Sequence, residues 1–358
     1  MKIIIITNSS KGLYSFRKEL IQELIKKNEV IAITPNNGSI ENIRQLGCDI
    51  IDTPLDRRGI NPINDFKLYR EYKKILRNEM PDMVITYTVK PNVYGGIVCR
   101  ILRIPYVVNI TGLGTAFQNE GMLRKIIKLM YKIACKNVKV VFFENEGNRQ
   151  LFIDEGIVKD SLTCCLNGAG VNLTQYQVSE YPQGDKIKFL FMGRVMAEKG
   201  IDELLIAMKR LIADGVTCQL DILGEYEDNY KEKITQYEAE GWLKYWGYQN
   251  NVKPFIKKCH CLVLPSWHEG MANTNLECAA SGRPIITTNI HGCLEAVEDG
   301  VSGYLCDRKN PDDLYRVMKK FVNLSYEEKK AMGLAGRKRM EEIFDKEKVV
   351  SKTICNIM

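Results

Sequence analysis

Residues 172–192 read NLTQYQVSEYPQGDKIKFLFM, a polar stretch that runs directly into an apolar one. The polar part contains Pro and Gly and shows neither the period of two typical of a strand nor the period of 3.6 typical of a helix. The apolar part, KIKFLFM, has the composition of a buried strand. Because it restarts a pattern that the preceding residues have already completed, the stretch predicts a linker between two domains of one kind.

Short apolar strands alternate with longer helical segments such as 15–27, 65–79 and 201–213 on both sides of this linker. Such alternation predicts an α/β chain with parallel, doubly wound sheets, whose ligands bind beyond the carboxyl ends of the strands. The predicted strands are KIIIIT (2–7), EVIAIT (29–34), MVITYT (83–88), YVVNI (106–110), KVVFFE (139–144), KIKFLFM (186–192), CQLDILG (218–224), CLVLP (261–265) and PIITT (284–288).

We predict two Rossmann-like domains that face each other across a cleft. The N-terminal domain spans 1–170 and the C-terminal domain spans 186–344. A linker over 171–185 joins them, and a tail over 345–358 is expected to return to the N-terminal domain.

The composition excludes several protein classes. With 27% charged and 45% hydrophobic residues the chain is neither disordered nor fibrous, and no apolar run approaches the ~18 residues of a membrane span. The opening MKIIIITNSS turns polar too soon for a signal peptide. The 12 cysteines show no framework spacing, which indicates reduced thiols in the cytoplasm. Cys259-His260-Cys261 has the ligand types for a soft metal, but it leads straight into a strand and lacks a second pair, so a structural role is preferred.

The charge is unevenly distributed along the chain. Residues 1–170 carry 25 Lys and Arg against 17 Asp and Glu, whereas residues 171–358 carry 26 against 27. The excess of positive charge therefore lies in the N-terminal half. It suggests an anionic partner there, such as a membrane surface or a phosphorylated molecule.

A buried strand, a glycine and two cations follow one another in FLFMGRVMAEKG, residues 189–200. Gly193 allows the backbone to approach a ligand, and Arg194 and Lys199 lie at the carboxyl end of the strand. Arg194 offers a fork of donors and Lys199 a point charge, which together suit a diphosphate. A solvated surface pair is the alternative interpretation.

HEGMANTNLE, residues 268–277, places two glutamates around a predicted helix start near Ala272–Thr274. The free amides and the positive dipole end of such a helix favour an anion. Glu269 and Glu277 are then placed to accept hydrogen bonds from sugar hydroxyls that flank a phosphate. A capping acid and a helix-surface acid are the alternative for each residue taken separately.

GRVMAEKG (193–200) followed by EGMANTNLECAASGRP (269–284) resembles the donor domain of family 4 retaining glycosyltransferases of the GT-B fold. NGAGVNLTQY (167–176) and GCLEAVEDGVSGYL (292–305) extend the resemblance over nearly the whole chain. It implies an acceptor-binding N-terminal domain, a donor-binding C-terminal domain and transfer from a sugar nucleotide with retention. It assigns catalytic roles to Arg194, Lys199 and Glu269, with both cations on the diphosphate and Glu269 on the sugar. Further donor contacts implied are Gly12, Gly193, Tyr248, Gly270, Met271, Ala272, Asn273, Thr274, Asn275 and the ribose-binding Glu277.

TYTVKPNVYGGIVCRILRIPYVVNITGLGTAF, residues 86–117, is similar to bacterial enzymes that assemble capsule, O-antigen and N-glycan precursors on polyprenyl diphosphate. The nearest likeness is to transferases of N-acetylgalactosamine (GalNAc). The resemblance implies a UDP-sugar donor, a polyprenyl-diphosphate-linked saccharide acceptor and no nucleic-acid partner. Where relatives often have a histidine this chain has Thr111, which favours help from the donor phosphate over a histidine base. Acceptor candidates are Arg57, Arg58, Lys90, Asn92 and Thr111, each with a helix-cap or solvated-loop alternative.

No Asp-x-Asp metal ligand pair occurs, and basic residues with a helix end take its place, so we expect no metal or other cofactor. Two alternatives remain open beside a lipid-linked acceptor. One is a GT-B enzyme that acts on the sugar nucleotide itself, as an epimerase does, or on a soluble acceptor. The other is a sugar-nucleotide or polysaccharide-binding protein without turnover.

MLRKIIKLMYKIACKNVK, residues 122–139, contains six basic residues and no acid. At helical spacing Arg124, Lys128, Lys132 and Lys136 form one stripe, with Lys125 close by, whereas Met122, Ile126, Leu129, Met130 and Ile133 lie on another side. A cationic stripe beside an apolar face predicts attraction to anionic lipid. We therefore expect a cytoplasmic protein held peripherally on the inner face of the cell membrane. A core helix with a solvated basic edge is the alternative.

Overall fold

The residues that the computed structural model describes are 1–54, 61–114, 117 and 121–358. They divide into two compact units, one formed by Met1–Ala169 with Glu347–Met358 and the other by Gly170–Lys346. Each unit contains one sheet, and neighbouring strands within each sheet run parallel. The predicted α/β class with two doubly wound sheets is confirmed.

The strands of the first unit are β1 (Lys2–Ile6), β2 (Glu29–Thr34), β3 (Asp49–Asp52), β4 (Met83–Tyr87), β5 (Tyr106–Ile110), β6 (Val140–Phe143) and β7 (Thr163–Cys165). They form a sheet in the order β3-β2-β1-β4-β5-β6-β7. Side chains of β1 alternate between the two faces, because Ile3 and Ile5 belong to one core cluster and Ile4 and Ile6 to another. Both faces of this sheet are therefore covered, as parallel sheets require.

Helices cover the two faces of the first sheet in two layers. One layer packs on the Ile3 and Ile5 face, and the other packs on the Ile4 and Ile6 face. A π-helical turn over Pro91–Gly95 leads into the second layer. The first layer comprises α1 (Ser10–Ile25), α2 (Ile40–Gln45) and α13 (Lys346–Ile357), and the second α3 (Pro62–Glu79), α4 (Gly96–Leu102), α5 (Met122–Ala134) and α6 (Glu146–Asp154).

The strands of the second unit are β8 (Ile187–Met192), β9 (Cys218–Leu223), β10 (Leu243–Tyr245), β11 (Cys261–Leu264), β12 (Ile285–Thr288) and β13 (Gly303–Cys306). They form a sheet in the order β10-β9-β8-β11-β12-β13. Its helices are α7 (Ile201–Ala213), α8 (Lys231–Ala239), α9 (Lys253–Lys258), α10 (Asn273–Ala280), α11 (Pro311–Val322) and α12 (Tyr326–Ile343). The strand order changes direction at β8, whose neighbours are β9 and β11, so the carboxyl ends of these three strands mark the ligand-binding edge.

Part of the predicted linker packs on the second unit. The guanidinium of Arg283, which is fully buried, donates to the carbonyl oxygens of Ser179 at 3.1 Å and Glu180 at 2.7 Å. Tyr181 is buried as well. This aperiodic segment is therefore attached to the second unit by hydrogen bonds. In the described part of the chain, no helix combines the length and apolar character that crossing a bilayer requires.

Candidate donor site

A tight turn carries the two predicted phosphate-binding cations from β8 to α7. Arg194 follows the strand, a short 3-10 helix spans Ala197–Lys199, and Gly200 has a φ of +72°. A Cβ atom at Gly200 would lie 2.0 Å from the carbonyl oxygen of Pro265, which follows β11. Only glycine fits there, and the close approach brings Lys199 next to the loop after β11.

The structure brings Lys199 and Glu269 into direct contact. The Lys199 Nζ atom donates to Glu269 Oε1, and the two side chains are only 17% and 12% exposed. The residue predicted to bind the diphosphate and the residue predicted to bind the sugar thus lie side by side. A cation and an acceptor of this kind at one strand edge suit a phosphate ester joined to a hydroxylated group.

Arg194 is held by an acid that the sequence did not point to. Its Nη1 atom lies 3.2 Å from Glu227 Oε2, on the loop after β9. The next residue, Asp228, accepts a 2.9 Å hydrogen bond from the Ala197 amide. Two carboxylates of one loop therefore fix the turn that carries Arg194 and Lys199.

The close backbone approach at this edge depends on Gly224 rather than on Gly193. A Cβ at Gly224 (φ +143°) would lie 1.8 Å from the Gly193 carbonyl oxygen. A Cβ at Gly193 would instead make ordinary contact with Phe191 at 3.6 Å. The residue that must lack a side chain for this protein contact is therefore Gly224, which follows β9, and the predicted approach of a ligand to Gly193 stays a prediction.

The helix predicted within residues 268–277, which contain both glutamates, begins where expected. α10 starts at Asn273, and its first turn includes the 2.9 Å bond from the Asn275 amide to the Ala272 carbonyl. The amides of Asn273 and Thr274 come before this first intrahelical bond in the chain, which is the position of the free amides at a helix N-terminus. The Ala272 amide differs, because it donates to the Gly292 carbonyl oxygen at 2.7 Å.

Three of the predicted donor contacts around this helix have buried side chains. Met271 and Ala272 pack in the core, and Asn275 is fully buried and donates to Thr287 Oγ1 at 3.2 Å. Its backbone and side-chain N–H groups have partners inside the unit, whereas its buried Oδ1 atom has no partner among the described residues, and the predicted donor contact of Asn275 stays a prediction. Gly270 lies between Glu269 and Met271 on the same loop.

The loop that carries Glu269 is attached to its surroundings at several points. His268 Nε2 lies 3.1 Å from Glu198 Oε2, and the Trp267 indole donates to Glu203 Oε1 at 3.0 Å. Gly292 (φ +91°) passes so close that a Cβ there would lie 2.8 Å from the Glu269 Cβ. Gly292 begins the segment 292–305 that extends the family resemblance, and its lack of a side chain makes room for Glu269.

Glu277 lies on the side of α10 that faces Tyr176 in the predicted linker. Burial raises the pKa of its carboxyl to about 7, although a hydrogen bond with Tyr176 and the positive charge of Lys346 act in the opposite direction. Tyr176 and Lys346 were not predicted, and both lie near the ends of the second unit. Their link to Glu277 has no signal in sequence spacing, because more than a hundred residues separate Lys346 from Tyr176.

Tyr248 follows β10 and is 45% exposed. The preceding Gly247 accepts a 2.9 Å hydrogen bond from the Gly224 amide, so this loop lies beside the turn after β9. The predicted contact of Tyr248 with a nucleotide base stays a prediction.

Gly12, the predicted donor contact of the first unit, lies in the first turn of α1. Its amide donates to the Ser9 hydroxyl at 3.0 Å and so completes the N-cap. The predicted contact of Gly12 with the donor stays a prediction.

The acceptor candidates are placed differently from one another. Lys90 pairs with Asp65 at 2.8 Å, and both side chains are largely buried. Asn92, an acceptor candidate with a helix cap as the alternative, lies inside the π-helical turn, is buried, and donates to the Asn109 carbonyl at 2.8 Å. Nearby Thr88 has a φ of +72°, a strained conformation for a β-branched residue. Asn92 is thus a structural residue of this turn.

Thr111 follows β5 and is partly exposed. Arg57 and Arg58 lie outside the residues that the structure describes.

The Cys259-His260-Cys261 segment has no metal-site geometry. Burial raises the pKa of the Cys259 thiol to about 12, and the Lys188 amide donates to His260 Nδ1 at 3.1 Å. In the described ranges no group of three or more His, Cys, Asp or Glu side chains is arranged to hold a metal ion.

α5 exposes its apolar side to solvent. Met122 is 73% and Leu129 is 59% exposed, whereas Tyr131 and Ala134 make the core contact. Arg124 lies 3.2 Å from Glu155 on the adjoining α6 segment, and Lys128 contacts the same carboxylate. The predicted cationic stripe is therefore corrected, because an acid from outside the helix neutralises part of it. The other predicted basic residues, Lys125, Lys132 and Lys136, are exposed.

Two curated relatives of this chain are bacterial glycosyltransferases whose names include a diphospho-undecaprenol-linked acceptor. It is 24% identical to the N,N'-diacetylbacillosaminyl-diphospho-undecaprenol alpha-1,3-N-acetylgalactosaminyltransferase of Campylobacter jejuni, over 98% of this chain and 96% of that protein. It is 28% identical to the Escherichia coli UDP-Gal:alpha-D-GlcNAc-diphosphoundecaprenol alpha-1,3-galactosyltransferase, over 73% and 71% of the two chains.

Solved structures share the whole fold at low identity. Anabaena HepE in complex with UDP and glucose matches with a TM-score of 0.82 at 15% identity, covering 99% of this chain and 98% of that one. A glycosyltransferase from Rickettsia africae matches with a TM-score of 0.80 at 16% identity, covering 99% and 96%.

Two family models match successive parts of the chain. "Glycosyl transferase 4-like" matches residues 2–145, and "Glycosyl transferases group 1" matches residues 175–339. The matches correspond to the two units and include Lys199, Glu269 and Glu277. The chain belongs to the group 1, family 4-like glycosyltransferases of the GT-B fold.

Proposed function

We propose that this glycosyltransferase transfers a hexose or N-acetylhexosamine, with GalNAc the best candidate, from a UDP-sugar to a polyprenyl-diphosphate-linked saccharide with retention. The pathway would be bacterial surface polysaccharide or glycan assembly. The observation that carries this proposal is the contact of Lys199 with Glu269 at the carboxyl edge of the second sheet. The end-to-end similarity to a GalNAc transferase with a lipid-linked acceptor supports the choice of substrates.

In the proposed reaction Lys199 exchanges its contact with Glu269 for the diphosphate of the donor. Arg194 and the amides at the start of α10 bind further phosphate oxygens, and Glu269 then accepts a hydrogen bond from a sugar hydroxyl. The bond from the anomeric carbon to the diphosphate breaks as the bond to the acceptor oxygen forms on the same face. The acceptor proton passes to the departing diphosphate, which these cations and amides stabilise without a metal ion.

The test supplies purified protein with polyprenyl-diphosphate saccharides and with UDP-GalNAc, UDP-GlcNAc, UDP-galactose and UDP-glucose in turn. We expect an acceptor-dependent product from one donor, with the anomeric configuration of that donor by NMR, and equal rates with and without EDTA. An inverted product would refute retention. Loss of activity in EDTA with recovery in magnesium would refute metal independence, and donor conversion without acceptor would favour an enzyme that acts on the sugar nucleotide.

We further propose that the second helical layer of the first unit rests on the inner face of the cell membrane. α5 offers exposed apolar side chains beside Lys125, Lys132 and Lys136. In the same layer, exposed Ile63 and Phe66 lie near the N-terminus of α3, followed by basic residues. Apolar side chains that reach the acyl boundary and cations that meet anionic headgroups are the two requirements of peripheral binding. A lipid-linked acceptor would then be presented by the surface to which the enzyme is bound.

A further inference from the structure

A cavity of about 410 Å³ lies in the second unit at the opposite edge of the sheet from the donor site. Its walls come from the amino-terminal ends of β8, β9 and β11, from residues 181–185 of the predicted linker and from the start of α12. The volume lies in the range of small-molecule sites. The residues that matter for its chemistry are Tyr181, Asp185, His260, Tyr326 and Lys329.

His260 presents a fixed hydrogen-bond donor in this cavity. The residue is only 4% exposed, and its Nδ1 atom accepts a hydrogen bond from the Lys188 amide at 3.1 Å. That bond leaves the proton on Nε2 when the ring is neutral. Burial, with the nearby charges of Lys329, Lys188 and Arg283, lowers the pKa of His260 to about 4, so the ring is neutral at physiological pH. Across the residues that the structure describes, no side chain or carbonyl accepts from Nε2.

Lys329 adds a buried positive charge. Lys329 is 7% exposed, and its Nζ atom donates to the carbonyl oxygens of Val322 at 2.9 Å and Leu324 at 2.6 Å. An ammonium group has three N–H donors, so these two bonds leave one over. Within the described part of the chain no carboxylate forms an ion pair with Lys329, and burial lowers its pKa. A buried charge without a counter-ion is costly, and an anionic ligand would remove that cost.

The rest of the cavity is aromatic and apolar. The Tyr181 and Tyr326 rings meet edge to face with centroids 5.7 Å apart, and Tyr181 makes the same contact with His260 at 5.7 Å. Both tyrosine hydroxyls donate to backbone carbonyls, so the rings present their apolar surfaces. Asp185, the acid of the lining, is exposed at the rim, where solvent screens it.

We propose that this cavity is a second ligand site, which binds a small organic anion: a phosphate or carboxylate attached to a ring or a short apolar group. The anionic oxygens accept from His260 Nε2–H and from Lys329, and the apolar part packs on the tyrosine rings. The site is separate from the donor site, because it lies at the amino-terminal edge of the same sheet. Its occupancy does not depend on the identity of the transferred sugar.

The chain contains only three histidines, so NMR of protein labelled with ¹⁵N-histidine can observe this site directly. Phenyl phosphate and benzoate serve as probes, with inorganic phosphate and phenol to separate the anionic and apolar contributions. Saturating UDP is present throughout to occupy the donor site. We expect phenyl phosphate or benzoate to shift the His260 resonances with a Kd of about 1 mM or tighter, and phenol to shift them far less. Assignment follows from the signal lost in His260→Gln.

Lys329→Met should weaken the probe about tenfold or more, since it removes a charge-assisted bond. Lys330→Met on the same helix is the matched control and should bind as wild type. Since Lys329 also bonds the carbonyls after α11, the melting temperature of each variant is measured, and Val216→Phe supplies a second variant that narrows the cavity and keeps the charge. The proposal is overturned if the probes leave His260 unmoved, if they shift only His268 or His291, or if Val216→Phe and Lys329→Met bind as tightly as wild type.

Discussion

At the scale of single residues, the contact between Lys199 and Glu269 sets the balance of charge in the donor site. Each side chain is largely buried, so each neutralises the other, and in the proposed reaction an anion and a hydroxyl take their places. A variant that removes one partner therefore changes both the chemistry and the charge that the other partner faces.

Glu269→Ala should reduce transfer by about a hundredfold or more, because the acceptor for the sugar hydroxyl is lost, about 2.7 kcal/mol of transition-state stabilisation. UDP affinity should change little or increase, since Lys199 loses its competing carboxylate. Steady-state rates and calorimetric titration with UDP measure the two effects. Glu269→Gln keeps the shape, and Glu232→Ala, an exposed acid on α8, is the control. Full activity in Glu269→Ala would exclude Glu269 from the sugar site.

Arg194→Ala combined with Lys199→Ala should weaken UDP itself, with each lost charge-assisted bond costing about 1.5–3 kcal/mol. The loss should exceed simple charge removal, because Glu269 and Glu227 then face the phosphate without their partners. Lys231→Ala combined with Lys258→Ala removes two exposed cations as a control. Equal UDP affinity in the site variant and the wild type would separate these residues from the diphosphate.

Glu277 gives a pH-dependent stability. Burial raises the pKa of its carboxyl from the ordinary glutamate value of 4.5 to about 7, so the folded protein binds the proton more tightly than the unfolded chain does. The contribution to stability is therefore greatest below pH 4.5 and is lost as the pH rises through about 7. Relative to Glu277→Gln, the wild type should lose free energy of unfolding across that window in denaturant titrations. The raised pKa of Glu277 would be contradicted if the difference in free energy of unfolding between wild type and Glu277→Gln did not change with pH. It would also be contradicted if wild type and Glu232→Gln differed in the same pH-dependent way.

The sequence patterns predicted which residues meet at the carboxyl edge of the second sheet, but they did not predict which charged groups pair with one another. Lys199 and Glu269 follow strands that could be recognised from apolar runs, so their proximity was predictable. Glu227, Glu155 and Asp65 were not, because each lies on a separate element and nothing in its local sequence signals an ion pair. Charge partners set by tertiary packing can only be read from the structure.

At the scale of elements, the central strands and main helices were predictable and the edge strands were not. The apolar run IDELLIAMKRLIA became α7 without a change of bounds. β7, β10 and β13 were missed, and β3 was expected only as a short strand without bounds before residue 56; all four lie at the edges of the two sheets. Strands at an edge are short and, in three of these cases, partly exposed, so they lack the long apolar run that marks a central strand.

α5 should bind anionic membranes through its exposed side. We expect the protein to sediment with anionic vesicles at low salt and to be released at high salt, since each basic residue near the surface contributes about 1 kcal/mol. Lys125→Glu, Lys132→Glu and Lys136→Glu together should abolish binding without changing UDP affinity.

The matched control reverses three charges in the other helical layer, at Lys26, Lys27 and Arg44. Arg124→Glu and Lys128→Glu should disturb the helix packing as well, because both contact Glu155. Wild-type protein that ignores the vesicles, or equal loss in the control, would refute the membrane face.

At the scale of the whole molecule, a ligand that binds only the folded protein must stabilise it. UDP at a hundredfold excess over its Kd should add about 2.7 kcal/mol to the free energy of unfolding, and the variant lacking Arg194 and Lys199 side chains should gain much less. Denaturant unfolding with and without UDP makes the comparison, and a panel of UDP-sugars ranks the donors. If UDP stabilised both proteins equally, its site would lie elsewhere.

The burial of Arg283 decides where the second unit can be cut from the rest of the chain. Its guanidinium is satisfied by carbonyl groups of Ser179 and Glu180 as well as by Ile256 and Lys257. A fragment that started at residue 186, where the apolar strand begins, would leave this cation facing solvent-filled space and remove Tyr181 from the core. A fragment that started at Gly170 would keep both, so the polar residues before the strand belong to any fragment that preserves the core of the second unit.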